Sequence, residues 1–394
     1  MAVEIRSAPS SRFPAFSGNW KPQRLDDFFS SSRAKGSEGL PTLSVTLNQG
    51  LVNRDDLARK QETNLTAKEH LLVRDSDIAY NMMRMWQGAF GRATYNGIVS
   101  PAYVVLRAKK GVDTRFFEYA FRKERSIYLF WAYSYGLTND RLRLYANDFC
   151  RIPFSAPTFP EQRKIAIFLT AVDQRIQQLI KKKALLEDYK KGVMQQLFNQ
   201  AIRFKDANGK DFPDWEENEF ELIAEKSKAK HNPTKSEEEW ECVELESLSQ
   251  NTGNLLETFS SSKQKSIKNK FSAGEVLFGK LRPYLRKFLH ADFNGVCSSE
   301  IWVLNGKTVT NHFLFQLIQT HKFNQAANVS SGSKMPRADW DFLSSVPFHH
   351  PASPDEQNKV ADFLSAIDRK IESVATQITE TQTFKKGLLQ QMFI

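Results

Sequence analysis

A stretch of 38 residues occurs twice in this chain, 195 positions apart and without a gap. Glu161-Gln162 returns as Glu356-Gln357, Phe168-Leu169 as Phe363-Leu364, and Asp173 as Asp368. Lys190-Lys191-Gly192 returns as Lys385-Lys386-Gly387, Gln195-Gln196 as Gln390-Gln391, and Phe198 as Phe393. Over 161–198 the two copies share 15 identities, too many in one register for chance. An internal repeat of this kind dictates the architecture before any single residue does. Fainter matches precede each copy, now 198 apart: Asp77-Ile78-Ala79-Tyr80 with Glu275-Val276-Leu277-Phe278, Arg84 with Arg282, and Gly97-Ile98-Val99-Ser100 with Gly295-Val296-Cys297-Ser298. The chain therefore reads as globular unit, helix, globular unit, helix.

Both copies have the signature of long helices. Thr158 and Ser353 stand three residues before Glu161 and Glu356, the spacing of a capping box, with a proline in the first turn. Apolar residues then step by three and four: Ile165, Leu169, Val172, Ile176, Leu179 and Leu186 in the first copy, continuing to Val193 and Leu197. In the second they are Val360, Leu364, Ile367, Ile371, Val374 and Ile378, continuing to Leu388 and Met392. This is a coiled-coil seam, interrupted by Lys183 and Lys190 in one copy and by Thr381 and Lys385 in the other. Each helix would be roughly 55 Å long. Such a stripe needs a partner, and the other copy is the nearest, so an antiparallel pair is expected. Short β-rich runs (Ala102–Leu106, Ile301–Leu304) and more helical stretches (115–135, 313–329) make each globular unit mixed α+β. The expected fold class is α+β: two mixed α/β globular domains at 1–157 and 201–352, with long helices at 158–200 and 353–394, related by a pseudo-two-fold. The turn-rich linker Phe204–Lys210 marks the start of the second unit.

Charge points to a polyanionic partner. The chain carries 55 Lys+Arg against 45 Asp+Glu. Residues 1–157 hold 23 basic and 15 acidic side chains, and 261–337 hold 12 and 3, whereas 205–260 are acidic overall. A basic surplus in each half favours phosphate neutralisation. Three scattered cysteines without a CxxC pair exclude a disulfide framework or a cysteine zinc site and point to a reducing cytoplasm. No apolar run is long enough to span a membrane, and the opening residues lack the apolar stretch of a secretory signal.

Two EQxKxAxFL-type helix starts, two KKGxxQQxF helix ends and the run Gly274-Glu275-Val276-Leu277-Phe278-Gly279-Lys280-Leu281-Arg282-Pro283-Tyr284 resemble the specificity subunit of type I restriction–modification systems. The resemblance implies that each globular unit is a target recognition domain reading one half of a split, asymmetric site in double-stranded DNA. The helices would set the spacing and dock two methyltransferase (M) subunits, and restriction (R) subunits would join them. S-adenosylmethionine, ATP and Mg would belong to those partners, so this chain would need no cofactor and catalyse nothing itself. The first unit departs from the pattern, with Asn81-Met82-Met83-Arg84-Met85-Trp86 in place of the Gly-Lys-Leu-Arg-Pro-Tyr run.

The candidate DNA contacts interleave cations with aromatics. In the second unit they are Lys280, Arg282, Tyr284, Arg286 and Lys287; in the first, Arg84, Trp86 and Arg92. Cations suit guanine edges and phosphates, and an aromatic suits sugar or base. The alternative is a solvated charged loop. Two Gly-led loops with an Arg five residues on add Thr138, Asn139 and Arg141, and Ser333, Lys334 and Arg337; as plain turns these would need only Gly and Asn. Lys181-Lys182-Lys183 reads as a solvated helix face. Gly274–Lys280 matches a P-loop except that Leu281 stands where Ser or Thr must hold magnesium, so no nucleotide site is expected. The histidines form no HExxH pattern, no metal site is expected, and no nucleophile elbow, GxGxxG or Asn-Pro-Pro-aromatic run occurs. The competing readings are a self-contained DNA-modifying enzyme and a coiled-coil scaffold that does not bind DNA.

Overall fold

The computed structural model describes residues 8–57, 64–329 and 335–394. They fall into two compact units. One comprises Met1–Gln178 with Gln377–Ile394; the other is Leu179–Thr376. Each unit therefore contains the start of one long helix and the end of the other.

The first unit is built on a four-stranded antiparallel sheet, in the order Phe29–Ser32, Tyr103–Ala108, Ile78–Asn81, Phe90–Arg92. Its central strand is buried on both faces: Ile78 and Tyr80 enter one cluster with Val104 and Leu106, while Ala79 and Val105 enter another. That is the period-2 alternation of a strand with apolar partners on either side. The Thr114–Phe121 helix, capped by Asp113, lays Phe116, Phe117 and Phe121 onto the first cluster. The second unit repeats this frame. Ala224–Lys226, Ile301–Gly306, Val276–Gly279 and Phe288–His290 form a four-stranded sheet of the same order. Ala79 faces Val105 and Leu277 faces Val303, so the faint 198-residue repeat is a repeat of strand register. Gly274–Lys280 is a turn leading into a strand buried along its length, which leaves no cradle for phosphate.

The long helices run Phe159–Phe198 and Pro354–Gln391. Asp173 of the first is 2.6 Å from Lys385 of the second, inside the first unit; Lys190 of the first is 2.7 Å from Asp368 of the second, inside the other unit. Moving forward along one helix means moving backward along the other, so the pair is antiparallel. Lys190 and Lys385, two of the three lysines that interrupt the seam, are thus cross-links between the helices, and the two bridges are repeat mates of each other. All four side chains keep partial exposure, where an ion pair contributes about 0–1 kcal/mol. Burial also pushes the Asp368 carboxyl up despite Lys190. These bridges fix register more than they stabilise.

Of the seam positions, Ile165, Leu169, Val172, Ile176, Leu179, Val360, Leu364, Ile367 and Val374 are buried, and Leu186, Ile371 and Ile378 are half-buried. The ends of the stripes do not pack only on the other helix. Ile165 and Leu169 join the aromatic core of the first unit together with Met392 and Phe393, and Val360, Leu364 and Ile367 join that of the second with Val193 and Leu197. The repeated terminal phenylalanines are plugs: Phe393 stacks on Phe116 and meets Trp20 edge-on, and Phe198 sits against Phe313 and Trp215.

The repeated Glu-Gln pair is an anchor. Glu161 and Glu356 are 1% and 0% exposed. Their carboxylates each receive two N–H groups of an arginine, Arg12 and Arg203 respectively; a carboxylate this deep needs a countercharge. Gln162 accepts from the Asp113 N–H and donates to Pro157; Gln357 accepts from the Thr310 N–H and donates to Thr308 and Pro351. Each Gln thus ties its long helix to the first turn of a core helix.

Removing one partner of such a pair strands a buried charge. Arg203→Met should lower stability by about 3–5 kcal/mol, measured by denaturant unfolding. Phe393→Ala, which empties an aromatic site, should cost a similar ~3–5 kcal/mol. Leu169→Asp should be more damaging than Ile371→Asp, because Leu169 is fully buried and Ile371 is not; equal melting temperatures for both variants and the wild type would contradict the packing.

Candidate nucleic-acid interface

In the second unit the buried Val276–Gly279 strand ends at Lys280 and the chain turns through Pro283–Leu285 before returning as Phe288–His290. Arg282 and Arg286 flank that turn at φ 52° and 50°. Left-handed backbone costs a non-glycine residue roughly 1–2 kcal/mol, so the loop must be held from outside. Arg282 N–H donates to the Pro336 carbonyl at 2.8 Å, Ala338 N–H to that of Lys280 at 2.8 Å, and Lys280 N–H to that of Glu300 at 2.9 Å. Strain confined to a clamped, cation-rich turn is a feature of binding sites.

The turn divides its side chains. Arg282 and Tyr284 are exposed and Lys280 is half-buried. Arg286 points inward: its Nη2 donates to the Gln319 carbonyl at 2.8 Å, its Nε is buried with no partner among the described residues, and desolvation lowers its pKa. Lys287 donates to the Leu245 carbonyl. Arg337 is engaged by Glu300 through Nε at 2.9 Å and Nη2 at 3.3 Å. Ser333 and Lys334 lie outside the described residues.

Three lysines join this loop that the sequence reading passed over. Lys226, Lys228 and Lys230 fall in the segment 205–260, whose acidic total hid them. Strand pairing sets Lys226 opposite Leu304, with its ammonium 4.9 Å from the Trp340 ring and 5.8 Å from that of Trp302. Its pKa is lowered, first by desolvation, then by Lys280, with Lys230 and Lys228 adding to this and Asp341 opposing. Lys228 is exposed, and Lys230 donates to Asn269. Like charges crowded in this way favour a polyanion. The alternation Lys226-Ser227-Lys228-Ala229-Lys230 was the available signal: three cations on one face of an extended chain.

In the first unit Arg84 is exposed at the start of the Met85–Gln87 turn, and Trp86 is half-buried with its Nε1–H on the Met83 carbonyl at 3.0 Å. Arg92 is committed internally, donating to Ser76 Oγ at 2.7 Å and Thr114 Oγ1 at 3.0 Å, with Asp75 3.6 Å away. Thr138 and Arg141 are exposed in a loop closed by the Tyr135–Arg143 bridge, and Asn139 opens its short turn. Lys181 and Lys182 are exposed, while Lys183 pairs with Glu187 at 2.7 Å.

Among the described residues no group of three His, Cys, Asp or Glu side chains stands close enough to hold a metal ion, and no helix is long and apolar enough to cross a membrane. Burial pushes the thiol of Cys297 up and that of Cys242 up to about 12, which leaves neither as a ready nucleophile.

Lys226→Glu and Arg282→Glu should each weaken duplex binding, and Lys226→Glu should also reduce the salt slope of log K by about one. Anisotropy titrations between 50 and 200 mM salt, roughly the range over which phosphate contacts dominate, read both. Unchanged affinity in both variants would remove this face from the interface.

Comparison with known proteins agrees with this architecture. Residues 213–382 match the family model for the type I restriction modification DNA specificity domain. The specificity subunit of the type I restriction enzyme EcoDI from Escherichia coli is 29% identical over 128 residues. That alignment covers 32% of this chain and 28% of the relative, so the shared segment spans less than a third of that protein. The S subunit of a type I restriction–modification system from M. genitalium superposes with a TM-score of 0.60 at 15% identity, covering 98% of this chain and 99% of the other. A second solved structure, from work on complex assembly and conformational transition of the type I system, has a TM-score of 0.52 at 14% identity, covering 95% and 97%. At such identities the likeness to these structures establishes the fold, and the sequence match shows that residues 213–382 are similar to the type I restriction modification DNA specificity domain.

Proposed function

We propose that this chain supplies DNA sequence recognition to a type I restriction–modification complex and performs no chemistry itself. Each globular unit reads one half of a bipartite, asymmetric site in double-stranded DNA. The helix pair sets the distance between the halves and docks two methyltransferase subunits, and restriction subunits join that assembly. Adenine methylation and cleavage, with their S-adenosylmethionine, ATP and Mg, belong to those partners.

The observation that carries this reading is that one frame is built twice with different side chains on its turns. The sheets share strand order and register, yet one turn carries an exposed Arg84 beside a half-buried Trp86 and the other an exposed Arg282 and Tyr284. Equivalent scaffolds whose turns carry different aromatic groups beside a shared arginine suit unlike half-sites. Regular helices of 40 and 38 residues support a fixed separation, which a flexible linker could not hold.

The test is reconstitution with methyltransferase subunits, followed by mapping of modified bases on genomic DNA. The expected pattern is two short, dissimilar half-sites separated by an unread spacer of constant length. Equal modification of random and target duplexes would place recognition elsewhere, and modification by this chain alone would make it an enzyme.

A further inference from the structure

Each unit carries a second short helix, directly after the one on its sheet. In the first unit this is Glu124–Ala132, following Thr114–Phe121; in the second it is His321–Ala327, following Asn311–Leu317. The starts of both pairs are 197 residues apart, so Tyr128 corresponds to Gln325 and Trp131 to Asn328. Both helices pack beside the turn that carries the candidate contacts. In the first unit the Ile127 side chain lies against Gly88 at the end of the Met85–Gln87 turn. In the second, Arg286 shares a surface hollow of about 460 Å³ with His321, Asn324, Gln325, Asn328 and Val329.

The outward faces of these helices differ in chemistry. In the first unit the face is aromatic, with Tyr128 61% and Trp131 45% exposed and their rings 5.8 Å apart. Past the helix end, Tyr135 and Leu137 are exposed as well. Aromatic groups left in water without a partner mark a binding surface. Arg125 is exposed on the same helix and Arg84 on the turn it packs against, with Glu124 the one acidic residue on the helix. In the second unit the face is carboxamide: Gln325 is exposed with no side-chain partner among the described residues, and Asn328 is exposed with its amide on the Asn324 carbonyl at 2.7 Å. The inward faces match, with Ser126 and Phe130 buried in one helix and Phe323 and Ala327 in the other. The scaffold is thus kept and the outward chemistry exchanged.

On the reading that each unit contacts one half-site, we propose that these two faces read bases in the major groove. Tyr128 and Trp131 do so by apolar contact in one half, and Gln325 and Asn328 by carboxamide hydrogen bonds in the other. A major groove admits a helix, an Asn or Gln can satisfy the N6 and N7 positions of adenine together, and an apolar ring suits the thymine methyl. The arginines around the aromatic face and the adjoining cationic turn match a DNA strand rather than an apolar protein partner.

The experiment is modification mapping with the reconstituted complex, wild type first. Tyr128→Ala with Trp131→Ala should relax base preference in one half-site by about ten-fold or more per lost contact, leaving the other half unchanged; Gln325→Ala with Asn328→Ala should do the reverse. Gln325→Glu should shift preference at one position from adenine towards cytosine, whose exocyclic amine a carboxylate accepts. All positions are exposed, so melting temperatures should match the wild type, and the charge switch stands even where a double alanine variant does not. Wild-type preference at every position in all three variants overturns the inference. So does relaxation of both halves together, or loss of a partner subunit with the target unchanged, which would mark a protein-docking face. A wild-type complex without a bipartite target would instead overturn the proposed function beneath it.

Discussion

Most of the stability of a protein helix comes from tertiary packing of its apolar face rather than from propensity. Here each end is buried in a different core. The first long helix begins among the aromatic residues of one unit, through Ile165 and Leu169, and ends in the other with Leu197 and Phe198. The second begins with Val360 and Leu364 in the latter and ends with Met392 and Phe393 in the former. Neither unit is complete without segments more than a hundred residues away in sequence. This mutual completion is the constraint on which the candidate turns depend, because the cores beneath their sheets include the helix ends.

Polar groups then give that burial one register. A stripe of aliphatic residues tolerates sliding; a buried carboxylate does not. Glu161 and Glu356 must meet Arg12 and Arg203, and Gln162 and Gln357 must meet the N–H groups of Asp113 and Thr310. A shift of one helical turn would strand all of them at a cost of several kcal/mol per ion. The bridges Asp173–Lys385 and Lys190–Asp368 add the same specification at the half-exposed surface. The most obvious residues of the repeat are therefore architectural, and the residues proposed to read DNA lie where the repeat is faint.

That division explains how much was legible in advance. The long helices, their antiparallel pairing and the mixed character of each unit follow from periodicity and duplication, both local in sequence. The exposed pair Arg282 and Tyr284 was also legible, because alternating cations and aromatics after a strand are a local signal. The inward commitments of Arg92, Arg286, Lys287 and Arg337 were not. Each depends on an acceptor distant in sequence or outside its own loop, such as Thr114, Gln319, Leu245 and Glu300. Nor was the lysine group at 226–230 visible inside a segment of net negative charge, since only the pairing of Ala224–Lys226 with Ile301–Gly306 sets it beside Lys280.

Sequence by itself determined that this chain is a doubled unit with two matched long helices, because a repeat and a heptad-like stripe are properties of order along the chain. Tertiary structure alone decided which cations remain free for a ligand and which are consumed by the fold. It also turned a repeated Glu-Gln into a buried anchor and set two chemically unlike helix faces at equivalent positions. The reason is that burial and hydrogen-bond partnership arise between residues brought together across hundreds of positions, and a charge has no assigned role until its nearest acceptor is known.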